Sequence, residues 1–243
     1  MLVDDKFIII LIPRCATTSF VVSCQKYNIP TKSGMSNIGG YDKIRSLVTK
    51  QTTHYHKDLL FLTSKFGNDY PIIAVKRNKY DSFISLWKMI LNVLSEHYNE
   101  NELVEKLSKF KTEDILFFDR NEYTLMDGLN NQKYGNDIVK LSKIFFTKHN
   151  IPYNEILSDY LQLLYTPQIW YHNFDKRVIW FDFDKLNELE DWVSNKLNMD
   201  FKLENINSSK EIRCELKNDK YFKEKFDYIY SKYETFKENK TLI

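Results

Sequence analysis

Arg14 stands in the run Pro13-Arg14-Cys15-Ala16-Thr17-Thr18-Ser19, directly after the unbroken apolar stretch Phe7 to Ile12. A cation followed by hydroxyl residues, where a helix opens, suits the binding of an anionic oxygen. Backbone N–H groups at a helix start have no intrahelical partner and the helix dipole is positive there, so Ala16 to Ser19 can wrap an anion while their hydroxyls add further donors. The turn has neither the glycines nor the lysine of the nucleotide-binding loop G-x-x-x-x-G-K-S/T, which speaks against an ordinary kinase or NTPase. Taken alone, the segment reads equally well as the first strand-to-helix turn of an α/β domain with Thr17 as helix cap.

A second place with chemical capacity is His54-Tyr55-His56. A neutral imidazole with a pKa near about 6.5 can take a hydroxyl proton at neutral pH. The same pair also fits a surface or capping role, and no third ligand stands nearby for a metal. The third place is Lys76-Arg77-Asn78, a second cationic turn after a short apolar run.

These residues need a scaffold, and the hydrophobic pattern supplies one. Phe7 to Ile12, Ile72 to Val75 and Arg177 to Phe183 read as strands, the first two as buried parallel ones. Helices are expected over Thr17 to Tyr27, Tyr41 to Thr49, the run to Phe66, and Glu100 to Phe110. A long helix from Tyr80 carries Phe83, Ile84, Trp87, Ile90, Leu91 and Leu94 at helical spacing. Further helices are expected over Asp137 to His149, Tyr153 to Leu164, from an Asp184 cap to Leu197, and from Asp219 to Glu238. Ile115 to Phe118 is ambiguous, and Asn121 to Asn136, polar and without a period, is the candidate active-site or lid loop. Alternating strands and helices imply an α/β fold, three layers with a central parallel sheet, in a single domain over 1–243.

Composition narrows the function classes. The 243 residues are 43% hydrophobic and 15% aromatic, enough for a substantial core. Lys and Arg total 35 against 33 Asp and Glu, so a net charge of +2 gives no global reason to expect nucleic acid or an anionic membrane as partner. Any anion selectivity must be local. Cys15, Cys24 and Cys214 have no metal-type spacing and no disulfide arithmetic, which points to a reducing compartment. The opening apolar run is short and ends in Pro13-Arg14, without a basic leader, so a soluble cytoplasmic protein is expected.

Two of these segments together resemble the sulfotransferases that use 3′-phosphoadenosine 5′-phosphosulfate (PAPS). In that family the first strand-to-helix loop reads approximately Pro-Lys/Arg-Ser/Thr-Gly/Ala-Thr/Ser-Thr-Ser/Thr, and the chain has Pro13-Arg14-Cys15-Ala16-Thr17-Thr18-Ser19, with Cys15 the unusual member. The second family element is a strand ending in arginine and a helix with a serine eight residues later; here Val75-Lys76-Arg77-Asn78-Lys79-Tyr80-Asp81-Ser82-Phe83-Ile84-Ser85 follows it. An H-x-H pair between the two motifs is similar to the branch that sulfates uronic acids of heparan-type polysaccharides, and His54-Tyr55-His56 lies there.

The resemblance implies a P-loop NTPase-like sulfotransferase fold, with PAPS as donor, adenosine 3′,5′-bisphosphate as product and no metal. Arg14, Cys15, Ala16, Thr17, Thr18 and Ser19 would hold the 5′-phosphosulfate, and Arg77 and Ser85 the 3′-phosphate. A forked donor at a strand end and a hydroxyl two turns along the next helix suit that task. His56 would be the general base, Arg14 would stabilise developing charge, and His54 would orient the acceptor. Ser208, Ser209 and Lys210 match the polar loop that closes over the nucleotide, or belong to a solvated loop. The acceptor is a hydroxyl, carbohydrate in preference to tyrosyl or small-molecule, with Trp87, Tyr123, Trp170 and Tyr171 as candidate lining residues or core. The oligomeric state is open. A P-loop kinase of a small substrate and a catalytically silent nucleotide-binding module are the alternatives.

Overall fold

β-branched and aromatic residues in an unbroken run favour a strand with both faces covered, and Phe7 to Ile10 behave accordingly. All four are 0–2% exposed. The computed structural model describes residues 1–32, 59–116, 142–165, 175–205, 214–216 and 219–227. In chain order the elements are β1 (Leu2–Val3), β2 (Phe7–Ile10), α1 (Thr17–Lys26), β3 (Thr31–Lys32), α2 (Leu59–Phe66), β4 (Ile72–Lys76), α3 (Lys79–Tyr98) and α4 (Asn101–Ser108). There follow the single turn α5 (Thr112–Ile115), α6 (142–148), α7 (Glu155–Tyr165), β5 (Val178–Asp182), a 3-10 turn (Phe183–Lys185), α8 (Leu186–Leu197) and α9 (220–227).

The chain forms two compact units, one of Met1–Ser82 with Gln168–Ser208 and one of Phe83–Pro167 with Ser209–Ile243. The first holds a five-stranded sheet in the order β3-β1-β2-β4-β5. The sheet is mixed, which corrects the expectation of a wholly parallel one. β2, β4 and β5 are parallel, whereas β1 runs antiparallel to both β2 and β3. The cause is the turn at Asp4 and Asp5, both left-handed at φ 47° and 48° and closed by Lys6 N–H to Val3 C=O at 2.9 Å. Paired positive-φ residues make the kind of turn that folds a strand back on its neighbour.

Helices cover the sheet through aromatic side chains. Trp192 of α8 meets Phe7 edge-on at 5.1 Å and Phe181 at 6.0 Å. Phe20 of α1 packs on Phe201 at 5.6 Å, and the buried Ser23 hydroxyl donates to Ser19 C=O while accepting from the Glu204 amide at 2.7 Å. A 3-10 turn separates β5 from α8, whose N-cap is Lys185 without a side-chain cap bond, so Asp184 is not the cap expected.

Among the described residues the second unit is helical. α3 buries Phe83, Leu86, Trp87, Ile90, Leu91, Val93 and Leu94, a wider face than the single stripe of its apolar period, because neighbours pack on more than one side. Trp87 is 0% exposed and lies parallel to Phe110, which places it in the core and removes it from the candidates for lining an acceptor site. Asn154 caps α7 by accepting from the Leu157 amide at 2.9 Å, and Asp219 caps α9 through Phe222 at 2.8 Å. The ambiguous segment at Ile115 ends a helical turn, and the expected Asp137 cap and the part of the last helix beyond 227 lie outside the described residues. No helix of the described residues is long and apolar enough to cross a membrane.

His149 gives this unit a pH dependence. Its Nε2 meets Asp114 C=O at 2.7 Å, and its ring lies against Phe110 and Phe145. Burial lowers its pKa below the usual 6.5, with the Lys148 and Lys106 charges acting in the same direction against the Asp114 carbonyl. The unfolded chain therefore binds the proton more readily. Stability should fall as pH drops below about 6.5 and level off once folded His149 is itself protonated. Urea midpoints between pH 7.5 and 5.5 should fall less steeply for His149→Gln than for the wild type.

Candidate anion-binding site

Register decides what stands beside what. Parallel pairing aligns Ile10 with Ala74 and Lys76 with Asp182, so the segments that leave β2, β4 and β5 emerge at one edge of the sheet, outside the carboxyl ends of its parallel strands. Ligand sites of open α/β sheets occur at this edge. The turn after β2 is tightly built. Ile12 C=O accepts from the Cys15 amide at 3.2 Å and from the Thr17 hydroxyl at 2.7 Å. Thr17 is therefore not the cap of α1, because its hydroxyl reaches back to the strand end.

Arg14 and Ala16 are both left-handed, at φ 61° and 58°. A side-chain-bearing residue in that region costs about 1–2 kcal/mol, and such strain collects at ligand sites. Left-handed residues alternating along a turn draw successive amides to one side, which makes an anion-binding concavity. The first intrahelical bond is Phe20 N–H to Ala16 C=O at 2.9 Å, so the amides of Thr17, Thr18 and Ser19 precede it, and no side chain caps α1. Thr18 is exposed, Thr17 half-buried and Ser19 buried. Ala16→Gly should raise stability by about 1 kcal/mol, since glycine adopts the left-handed conformation without the Cβ penalty. The denaturant midpoint reads this directly.

Arg77 follows β4 without a spacer. Its Nη1 donates to Arg14 C=O at 3.3 Å, and its guanidinium lies over the Phe183 ring at 4.4 Å from the centroid. The Arg77 guanidinium thus reaches the backbone of the turn that carries Arg14. Burial, and next the Arg77 charge, hold the Arg14 pKa below its ordinary value, with Cys15 opposing. The two like charges therefore oppose one another at a half-buried turn.

Cys15 turns inward. Burial pushes its thiol up to about 12, against the opposing Arg77 charge, the Arg77 amide, the Ser82 hydroxyl and Arg14. It therefore remains a neutral thiol at physiological pH. Ser82 also donates to Pro13 C=O at a long 3.5 Å, tying the start of α3 to the turn. Asn78 caps α3 by accepting from the Tyr80 amide at 3.0 Å.

The structure thus brings together Arg14, Cys15, Ala16, Thr17, Thr18, Ser19 and Arg77. Ser85 is half-buried on α3, in the share of that helix that belongs to the second unit. His54, His56, Ser208, Ser209, Lys210 and the Asn121 to Asn136 loop lie outside the described residues, as do Tyr123, Trp170 and Tyr171. Sequence reasoning passed over Ser82 and Phe183. Ser82 had a faint signal, since it lies one helical turn before Ser85 on the same face. Phe183 had none, because only the sheet brings β5 beside β4. Two surface clefts, one lined by Lys143, Phe146 and Tyr153 and the other by Lys111, Glu113 and Cys214, hold none of the candidate residues. Comparison of the chain with protein-family models, with curated proteins and with solved structures returned no match.

Proposed function

We propose that the chain is a PAPS-dependent sulfotransferase of P-loop-like fold, moving a sulfuryl group to an acceptor hydroxyl, with carbohydrate the favoured acceptor class. One observation supports the reading: the Pro13–Ser19 turn, with its first-turn amides, and Arg77, whose guanidinium donates to the Arg14 carbonyl, meet at the carboxyl ends of adjacent parallel strands. A donor with anionic groups at both ends of one nucleoside matches two cationic turns better than a single polyphosphate chain does. The missing Walker lysine points the same way.

In the proposed reaction the acceptor oxygen attacks sulfur, its proton passes to His56, and the bond from sulfur to the bridging phosphate oxygen breaks. Adenosine 3′,5′-bisphosphate leaves with that electron pair. Arg14 and the amides of Thr17, Thr18 and Ser19 stabilise negative charge on the sulfonate and bridging oxygens. Arg77 holds the 3′-phosphate and so aligns the donor for in-line attack. Cys15 shapes the turn from inside. Positioning and electrostatics account for most of the acceleration, as in phosphoryl transfer.

Calorimetry with adenosine 3′,5′-bisphosphate and with ATP plus Mg²⁺ tests the donor. Tight binding of the bisphosphate and weak binding of ATP support the reading, and the reverse preference would indicate a kinase. Sulfate transfer from PAPS over a panel of carbohydrate, tyrosyl and small phenolic acceptors then tests the chemistry, with His56→Ala alongside. Bisphosphate binding without transfer to any acceptor would make the chain a silent nucleotide-binding module.

A further inference from the structure

Three successive carbonyls of the turn after β2 are held by donors. Ile12 C=O accepts from the Cys15 amide at 3.2 Å and from the Thr17 hydroxyl at 2.7 Å, Pro13 C=O from the Ser82 hydroxyl at 3.5 Å, and Arg14 C=O from Arg77 Nη1 at 3.3 Å. The Thr17 bond is the shortest of the four. It also spans the strained part of the backbone, since left-handed Arg14 and Ala16 both lie between its ends. Residues with side chains keep that conformation only where surrounding contacts over-determine it. The Cys15 amide closes the turn around Arg14 and reaches no further, whereas the Thr17 hydroxyl closes it beyond Ala16. A hydroxyl has one proton to donate, and Thr17 commits it to the carbonyl of a residue that is 1% exposed, where water is a poor substitute.

We infer that the Thr17 side chain is a positioning group of the anion turn and not one of its donors: its hydroxyl holds Arg14 and Ala16 in the left-handed region and so aligns the amides of Thr17, Thr18 and Ser19 toward an anion. The resemblance drawn from the sequence counts Thr17 among the residues that hold the 5′-phosphosulfate, and in this arrangement only its backbone amide serves that task. The Thr17 hydroxyl acts through the backbone that it ties to the end of β2.

Hydrogen exchange of the full-length protein without nucleotide, read by mass spectrometry, compares the wild type with Thr17→Val and Thr17→Ser. Peptides covering residues 13–20 should exchange about fivefold faster in Thr17→Val and at the wild-type rate in Thr17→Ser, with peptides of β4 unchanged in both. A side chain that served only a bound anion would leave the 13–20 rate unchanged, and a general loss of stability would speed β4 as well; either result overturns the inference. Calorimetry reads the consequence for binding, using adenosine 5′-monophosphate and adenosine 3′-monophosphate, which lacks the 5′-phosphate. Thr17→Val should weaken the first about tenfold and leave the second within about twofold, while Thr17→Ser keeps both. Equal weakening of the two nucleotides, or no weakening of the first, overturns the inference. Should Thr17→Val not fold, Thr17→Ala takes its place in both measurements. The choice of nucleotides rests on the function proposed above, in which the turn receives the 5′-phosphosulfate; the exchange measurement does not. If the wild type binds neither nucleotide, the proposed function fails, and the exchange rate alone decides the role of Thr17.

Discussion

Arg14→Ala should lower the rate of sulfuryl transfer from PAPS by about two to three orders of magnitude, a loss of about 3–4 kcal/mol of transition-state stabilisation. In the proposed reaction charge accumulates on the sulfonate and bridging oxygens as the bond to sulfur breaks, and Arg14 is the residue proposed to stabilise it. Because this charge is greatest in the transition state, the loss should fall mainly on kcat, with KM for the donor changing less. Alanine keeps the Cβ at a left-handed position, so the φ of 61° costs the same in the variant. Removing a charge that Arg77 opposes costs the fold little. The thermal midpoint should therefore move by no more than about 3 °C. Arg14→Lys keeps the charge without the fork and should recover part of the rate. Steady-state kinetics with the acceptor identified from the panel provide the measurement, and an Arg14→Ala enzyme with unchanged turnover would remove Arg14 from the catalytic role.

The largest stability loss is expected for Ile9→Ala. Ile9 is 2% exposed at the centre of β2, opposite Ile73, and its amide and carbonyl pair with Met1 at 2.8 Å each. A strand covered on both faces cannot close over the space left behind, so the cost should approach the upper part of the range of about 2–5 kcal/mol. The thermal midpoint should fall by on the order of 10 °C, against only a few degrees for Ile9→Val. The two substitutions separate scaffold from site. Ile9→Ala should leave activity per folded molecule nearly intact at low temperature, whereas Arg14→Ala should leave the fold intact and remove activity. Denaturant curves with activity assayed at 10 °C distinguish these outcomes.

Much of the first unit is readable because its signals are local. Phe7 to Ile10 and Ile72 to Val75 are apolar at every position, a pattern left by a strand buried on both faces. α3 is visible through its period, and Pro71 marks the start of β4. The antiparallel β1–β2 hairpin left little trace, since Asp4-Asp5 lacks the glycine that usually marks a tight turn and β1 is two residues long. Thr17 misled for a related reason. A hydroxyl residue at a helix start can bond forward to the helix or backward to the strand end, and only the path of the turn decides between them.

The sequence by itself determined the chemistry available: a turn with a cation and hydroxyls after a buried strand, a second cationic turn before an amphipathic helix, and an H-x-H pair between them. Those are properties of residue type and short spacing, where backbone geometry and solvation act over a few residues. Tertiary structure alone decided that the two turns stand side by side, because a parallel register aligns strands more than sixty residues apart. It also decided that Cys15 faces inward to Ser82 and Arg77, and that Phe183 lies under the Arg77 guanidinium. Contacts of that range depend on strand order, which no local pattern encodes.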